Sequence, residues 1–167
     1  MVVLGGLIFM PRGLLRKADS PAVADLFWRA ESGEPLSPEE IDQLLRQVSD
    51  TDAVNYPPAV ALLLIYGRLP EGAPPMVYIQ RLRQMETPCA RAYLGRLAWH
   101  TNQKDKAWSY WREAADCPET SLFLAQAYLQ EGQLDSACLI LKRPPALSGA
   151  PQRYRQQLLR AARCPSP

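Results

Sequence analysis

The chain has 167 residues, of which 47% are apolar and 22% are charged. These fractions are close to the soluble globular average, so the chain can bury enough apolar surface to offset its ordering entropy, which excludes a disordered tail. The net charge is +2, but the charges are unevenly distributed. Asp135 is the last acidic residue, and six cations follow between Lys142 and Arg163. The body of the chain is therefore mildly acidic and its end is basic.

Residues 2–10 are nine consecutive apolar residues, followed by Pro11 and three nearby cations. As a helix they would cover about 14 Å, roughly half of a bilayer's hydrocarbon core. Three interpretations are compatible with this length: a membrane anchor that lacks its first half, a poor signal-like segment, or an apolar arm packed on the protein. We favour the first and treat 1–19 as an apolar N-terminal arm or truncated membrane anchor.

The following residues predict amphipathic helices with short connections and no strand alternation. Prolines lie in the predicted first turns, where the missing N–H has no partner to lose. Ser37 and Glu40 have the spacing of a capping box. The predicted helices lie near 21–32, 38–48, 58–69 and 75–87, and the region 20–57 is interpreted as an N-terminal helical pair.

Residues 88–117 and 118–147 match each other at a period of 30. The matches fall on residues that control helix packing, because two helices approach closely only where small residues sit at the crossing. Each unit predicts a helix, a turn and a second helix. The aligned pairs are Pro88 with Pro118, Leu94 with Leu124, Gly95 with Ala125, Ala107 with Ala137, and Trp111 with Leu141.

This pattern resembles the tetratricopeptide repeat (TPR) family. The fitting residues are Leu94, Gly95, Ala98, Ala107, Trp111, Ala114 and Pro118 in the first unit, and Leu124, Ala125, Tyr128, Gly132, Ala137 and Leu141 in the second. The period is shorter than the usual 34, and Pro144 stands where the family has alanine. The resemblance implies an all-α fold, a right-handed array of antiparallel helix pairs (a TPR-like solenoid) over 58–147.

Residues 151–163 predict one further helix, with an apolar stripe that includes Tyr154 and Leu158 and with arginines opposite. We interpret 148–167 as a basic capping helix and tail that covers the last apolar face of the array. The alternative is that this basic helix binds anionic membrane or nucleic acid directly. Six cations beside a mildly acidic body form a weak electrostatic surface, so nucleic acid is disfavoured.

The sequence lacks the groups that catalysis requires. His100 is the single histidine, and no acidic residue or glycine-rich loop accompanies it as an orienting group or oxyanion site. Phosphate-binding loops and closely spaced metal ligands are also missing. We therefore expect a noncatalytic protein with no metal site and no cofactor.

In the TPR family the first helix of each pair lines a concave groove. The resemblance places Arg96, Trp99 and His100 of the first unit, and Gln126 and Gln130 of the second, on that face. Arginine and tryptophan suit peptide capture, since one binds carboxylates through two N–H groups and the other offers a large amphipathic surface. The alternative for Trp99 is a place in the core.

The four cysteines fall into two pairs if the helix pairs are antiparallel. The start of one helix then lies beside the end of its partner, which predicts Cys89 next to Cys117 and Cys138 next to Cys164. Both distances would suit disulfides in an oxidising compartment. The alternative is four buried free thiols in a cytoplasmic protein.

Taken together, these observations predict an interaction adaptor or accessory subunit of a larger, membrane-associated assembly. It would bind a segment of a protein partner in the TPR-like groove and contact the membrane through residues 2–10. The disulfides favour the extracytoplasmic side of a bacterial membrane. The cations at 12, 16 and 17 favour the cytoplasmic side, so a cytoplasmic location stays an alternative.

Overall fold

The computed structural model describes residues 21–42, 57–66, 69, 72, 74–143 and 146–165. All regular elements in these residues are helices, which confirms the all-α class. The predicted arm at 1–19, residues 43–48 of the second predicted helix, and Pro144 lie outside the described residues. The helices are α1 Pro21–Glu31, α2 Pro57–Tyr66, α3 Pro75–Gln84, α4 Pro88–His100, α5 Lys104–Glu113, α6 Thr120–Gln130, α7 Leu134–Leu141 and α8 Ala150–Ala161.

The helix starts follow the predicted capping signals. The backbone N–H of Ser37 donates to Oε2 of Glu40 at 2.9 Å, and the backbone N–H of Glu40 donates to Oγ of Ser37 at 3.1 Å. This reciprocal pair is the predicted capping box and starts the helical residues 38–42. At α4, Oγ1 of Thr87 accepts from the N–H of Ala90 at 3.2 Å. Each cap satisfies a donor that has no partner within the helix.

The internal repeat is visible in the turns. Asn102 and Gly132, 30 residues apart, both have positive φ, at 60° and 74°. Asparagine and glycine are the residues that tolerate this conformation best. In each turn the next residue donates its N–H to a carbonyl five residues back at 2.8 Å, Gln103 to Ala98 and Gln133 to Tyr128. The two units therefore turn in the same way.

Helix α4 packs most extensively against α5, and α6 packs most extensively against α7. In the first pair the ring of Trp111 lies against Gly95, and its Nε1 donates to the carbonyl of Ala92 at 3.1 Å. The absence of a Cβ at Gly95 allows this approach. Gly95 thus allows α4 and α5 to approach each other closely at this point.

Helix α1 packs against α2 and α8, and its aromatic residues enter the main core. The ring of Phe27 lies 5.1 Å from that of Tyr93 on α4, and Trp28 stacks on Phe123 of α6 at 5.2 Å. On its other side Trp28 lies 5.5 Å from Tyr154 of α8. One aromatic cluster therefore joins helices that are far apart in the chain.

Two disulfides join the cysteines in the predicted pairs. Cys89 at the start of α4 is bonded to Cys117 after α5, with a Cα separation of 4.9 Å. Cys138 on α7 is bonded to Cys164 after α8, with a Cα separation of 5.4 Å. Among the described residues, none of the helices has the length and apolar character that crossing a bilayer would require.

Candidate interaction groove

An open groove of about 820 Å³ lies beside α5, α6 and α7. We call it the lateral groove. Most of its surface is apolar, and the charged residues of the described chain that line it are two arginines. Its lining residues are Trp108, Trp111, Arg112, Ala115, Cys117, Pro118, Thr120, Ser121, Leu124, Tyr128, Leu139, Ile140 and Arg143.

Aromatic rings form the inner surface of the lateral groove. Trp108 meets Trp111 edge-to-face at 5.5 Å and lies 5.0 Å from Tyr128. Trp111 is buried, whereas Trp108 and Tyr128 are half-buried. The spacing of three residues puts both tryptophans on one face of α5. Rings fixed by packing lose little entropy on binding, which suits a recognition surface.

The outer edge of the groove combines apolar and basic side chains. Leu139 is 64% exposed and is the most exposed of the large apolar residues in the described part of the chain. Arg112 and Arg143 are also exposed, and no acidic residue of the described chain lines the groove. An amphipathic segment that offers an apolar side chain and a carboxylate fits this combination.

The hydroxyl groups in the groove are already engaged within the protein. Thr120 donates its Oγ1 proton to the carbonyl of Ala114 at 2.7 Å, and Ser121 donates to the carbonyl of Pro118 at 3.0 Å. Neither hydroxyl contacts a histidine or carboxylate that could act as its base. Both hydroxyl protons are therefore committed to backbone carbonyls of the connection before α6.

The structure places Arg96 away from any open surface, which corrects the expectation that it faces a groove. Arg96 is 8% exposed, and its Nη2 lies 2.8 Å from Oε1 of Glu31 on α1. Its Nε donates to both oxygens of Glu31 at 3.0 and 3.1 Å. Burial by itself lowers the pKa of Arg96, but the charge and hydrogen bonds of Glu31 raise it above its usual value. Arg96 therefore holds α1 in place.

The structure brings Trp99 and Gln130 together. Nε1 of Trp99 donates to Oε1 of Gln130 at 2.6 Å, across α4 and α6. The half-buried ring of Trp99 also lies 5.9 Å from Trp108 and 5.8 Å from Trp111. Lys104 lies over its face, with Nζ 5.2 Å from the ring centre. Trp99 thus packs against both tryptophans that line the lateral groove.

The remaining predicted groove residues lie at or near the surface. His100 is exposed at the end of α4, and Gln126 is half-buried on α6. Their role in partner binding stays a prediction.

The sequence interpretation missed the outer edge of the lateral groove, formed by Leu139, Ile140 and Arg143. A signal was present in α7, whose sequence LDSACLIL has four large apolar residues among eight. One buried face of a helix this short cannot cover all of them. An unexplained apolar excess on a short helix is therefore the feature that could have located the groove.

A second surface lies at the basic end of the chain, as expected for the C-terminal helix. It is a concavity of about 840 Å³ lined by Lys142, Arg155, Leu159, Arg160, Arg163, Cys164 and Pro165. We call it the basic cradle. Nη2 of Arg155 donates to the carbonyl of Leu141. The exposed cations of the basic cradle are therefore Lys142, Arg160 and Arg163.

Glu119 lies beside the disulfide that adjoins the lateral groove. Its carboxylate and the sulfurs of Cys89 and Cys117 lie within 4.8 Å of one another. Because the two sulfurs are bonded to each other, they offer no thiolate for a metal ion. Burial raises the pKa of Glu119 above its usual value, and hydrogen bonding to its own backbone N–H offsets this only in part.

Comparison of the chain with family models, with curated proteins and with solved structures finds no match in any of the three. The resemblance to the TPR family therefore rests on the residues quoted above, and the function has to be argued from the geometry of the chain itself.

Proposed function

We propose that this chain is a noncatalytic adaptor or accessory subunit of a larger, membrane-associated assembly, which holds a segment of a protein partner in the lateral groove. The observation that carries the proposal is the exposed Leu139 beside the tryptophans of an open groove with arginines at its edge. Exposed apolar surface of this kind is unfavourable unless a partner covers it. The arginines then pair with carboxylates of the bound segment.

We infer further that α4–α5 and α6–α7 are TPR-like antiparallel pairs. The Cys89–Cys117 disulfide and the ion pair of Arg91 with Glu113 connect the start of α4 to the end of α5. The matching turns 30 residues apart support a repeated unit. Such pairs form a rigid support. The binding surface is therefore already ordered before the partner binds, and little conformational entropy is lost on binding.

The bound segment is expected in the lateral groove rather than on the face that the family resemblance implies. That face carries Tyr93 on α4 and Phe123 on α6, and Phe27 of α1 packs against both rings. Arg96 lies three residues after Tyr93, and thus on the same face, and its charge is paired with Glu31. Helix α1 of the same chain therefore covers the face on which the family resemblance would place a ligand.

The disulfides support a location on the extracytoplasmic side, because they persist in oxidising compartments and are rare in the cytosol. A cytoplasmic location is the alternative. Differential alkylation of the protein in its native cells separates the two: disulfide-bonded cysteines place the helical part outside, and four reduced thiols place it in the cytoplasm.

The groove proposal is tested by crosslinking within the producing cells. A photo-crosslinking amino acid is placed at Leu139 in the groove or at Leu134, which is exposed on the same helix but does not line it. We expect one partner to be captured from position 139 and not from position 134, at a segment with an apolar residue beside acidic residues. When the photo-crosslinking amino acid is placed at a second position of the groove, the Leu139→Glu substitution should abolish the capture of the partner from there.

Equal capture from both positions, or capture unchanged by Leu139→Glu, would contradict the groove assignment. Raising the salt concentration gives a further criterion. Contacts of Leu139 with an apolar side chain should persist in high salt, whereas a purely electrostatic complex should weaken steeply.

A second candidate function is direct binding of the basic cradle to an anionic membrane. The observation that favours it is the grouping of Lys142, Arg160 and Arg163 around an apolar concavity that includes Leu159. We expect this binding to anionic vesicles but not to neutral ones, with loss in high salt. The triple variant that replaces these cations by glutamine should abolish it. Absence of vesicle binding by the parent protein would remove this candidate.

A further inference from the structure

Glu119 directs one carboxyl oxygen at both sulfurs of the Cys89–Cys117 disulfide. Its Oε2 lies 3.0 Å from Sγ of Cys117 and 3.6 Å from Sγ of Cys89. A disulfide sulfur carries no proton and can only accept a hydrogen bond, so the proton in this contact has to come from Glu119. The contact therefore favours the protonated carboxyl group over the carboxylate.

The surroundings of Glu119 favour the same state, because burial raises its pKa and only its own backbone N–H opposes that shift. The start of α4 carries Arg91, the end of α5 carries Arg112 and Glu113, and Asp116 lies in the connection to α6. Arg91 pairs with Glu113. Within the described part of the chain, neither Arg91 nor Arg112 forms an ion pair with Glu119.

The two sulfurs differ in their accessibility. Cys89 is half-buried, whereas Cys117 is 2% exposed. An incoming thiolate can therefore reach Cys89 more easily than Cys117. The sulfur displaced by that attack is Cys117, which is also the sulfur closer to Glu119. A proton donor is thus placed beside the group that needs a proton.

The second disulfide lacks this arrangement. The group in contact with Sγ of Cys138 is the backbone carbonyl oxygen of Ala162, at 3.8 Å. A carbonyl group has no proton to give, and no carboxyl group of the described chain contacts either sulfur of this disulfide. The described chain therefore contains one disulfide with a carboxyl group in contact with its sulfurs and one without such a contact.

We propose that Cys89–Cys117 is a thiol-exchange site in which Glu119 protonates Cys117 when a dithiol reductant attacks Cys89. The thiolate of the reductant bonds to Sγ of Cys89, the Sγ–Sγ bond breaks, and its electron pair goes to Cys117, which takes the proton of Glu119. The second thiolate of the reductant then displaces Cys89 and closes the reductant into a disulfide. Two electrons pass to the protein, and Cys89 and Glu119 take protons from water.

The reverse reaction uses the same groups. When the disulfide forms again, the carboxylate of Glu119 takes the proton from Cys117, so that its thiolate can attack a mixed disulfide on Cys89. Reduction would release the covalent link between the start of α4 and Cys117, which lines the lateral groove. The exchange reaction itself does not depend on what the groove binds.

The test compares the two disulfides in one sample. The full-length oxidised protein is treated with dithiothreitol between about pH 5 and pH 8, quenched, alkylated and analysed by mass spectrometry. The rate for Cys89–Cys117 is divided by the rate for Cys138–Cys164, which cancels the thiolate fraction of the reductant. We expect this ratio to be high at low pH and to fall as Glu119 loses its proton.

Glu119→Gln keeps the size of the side chain and removes the transferable proton. It should lower the ratio at low pH by roughly tenfold or more and make the ratio independent of pH. Glu131→Gln is the matched control, because Glu131 pairs with Lys104 at the surface and should leave the ratio unchanged. A ratio in the parent protein that does not change with pH would overturn the proposal, since unequal exposure alone gives a constant ratio. An unaltered ratio in a folded Glu119→Gln variant would also overturn the proposal. If this variant does not fold, the pH dependence of the ratio in the parent protein alone decides between the two outcomes.

Discussion

The indole ring of Trp111 occupies the space in which a side chain at position 95 would begin. A Cβ atom built on Gly95 would lie 2.6 Å from Cδ1 and 3.0 Å from Cε2 of Trp111. The ring is buried and donates a hydrogen bond to the carbonyl of Ala92, so it cannot move aside without breaking that bond. Trp111 therefore fits in this place only because residue 95 is a glycine, and position 95 accepts no larger residue while the ring of Trp111 stays there.

We expect Gly95→Ala to destabilise the protein. Overpacking of this kind costs about 1–3 kcal/mol, and the better helix propensity of alanine returns only about 1 kcal/mol. Because the ring is buried and hydrogen-bonded, the cost should lie in the upper part of that range, about 2–3 kcal/mol. The net loss in the free energy of unfolding, measured with urea on the oxidised protein, should then be about 1–2 kcal/mol. A variant as stable as the parent would show that the ring does not hold this position.

The internal repeat supplies the compensating change for this prediction. In the second unit Ala125 and Leu141 stand where the first unit has Gly95 and Trp111. Gly95→Ala should therefore be far less harmful when Trp111→Leu is also present. A double-mutant cycle measures this coupling, and additive losses would show that the two positions do not share one space.

Removing one partner of the ion pair of Arg96 with Glu31 should strongly destabilise the folded protein, because the side chain of Glu31 is 0% exposed. Arg96→Met leaves that carboxylate buried without its cation, which is expected to cost about 3–5 kcal/mol. Replacing both residues by methionine should restore most of the loss. Urea unfolding of the parent, Arg96→Met, Glu31→Met and the double variant measures these free energies of unfolding. A loss below about 1 kcal/mol in Arg96→Met would show that the pair is not effectively buried.

The stability of the protein should also depend on the protonation of Glu119. Its pKa is raised in the folded state by burial, from a usual value of 4.5. Well below pH 4.5 the carboxyl is protonated in both states and has little effect, whereas above the raised pKa the folded state must hold a partly buried charge. Glu119→Gln should therefore have a higher Tm than the parent at pH 8 and the same Tm at pH 4. The opposite order at pH 8 would contradict the assignment.

The Cys138–Cys164 disulfide should fix α8 on the rest of the protein. It closes a separation of 26 residues, for which the chain-entropy estimate is about 3.5 kcal/mol. Replacing both cysteines by serine should lower the free energy of unfolding by that amount and speed hydrogen exchange in α8 more than in α4. Uniformly faster exchange would show that α8 is not a separately weakened element.

The sequence predicted those features that depend on neighbouring residues. The capping box at Ser37 and the two cysteine pairs are confirmed, because the residues of each lie within or next to two consecutive helices. The position of α1 did not follow, since Glu31 and Arg96 are 65 residues apart and nothing in the spacing of either residue indicates the other. The face assigned to partner binding was therefore covered by a helix that the repeat pattern could not place.

The lateral groove was missed for a related reason. It depends on how α5, α6 and α7 pack against one another, which leaves Leu139 exposed and Ile140 half-buried. Periodicity identifies the apolar residues of a helix, but it does not show how far a neighbouring helix extends over them.

The contact of α1 with α8 closes the chain into a ring of packed helices. Arg153 of α8 pairs with Asp25 of α1 at 3.2 Å, and Gln157 donates to the carbonyl of Ser32 at 3.1 Å. An open repeat array can gain or lose a unit at its ends, and it can unfold one unit at a time. A closed ring has no such end. Inserting a further helix pair among the described helices would separate α1 from α8, so a pair cannot be added without losing the contact that closes the ring.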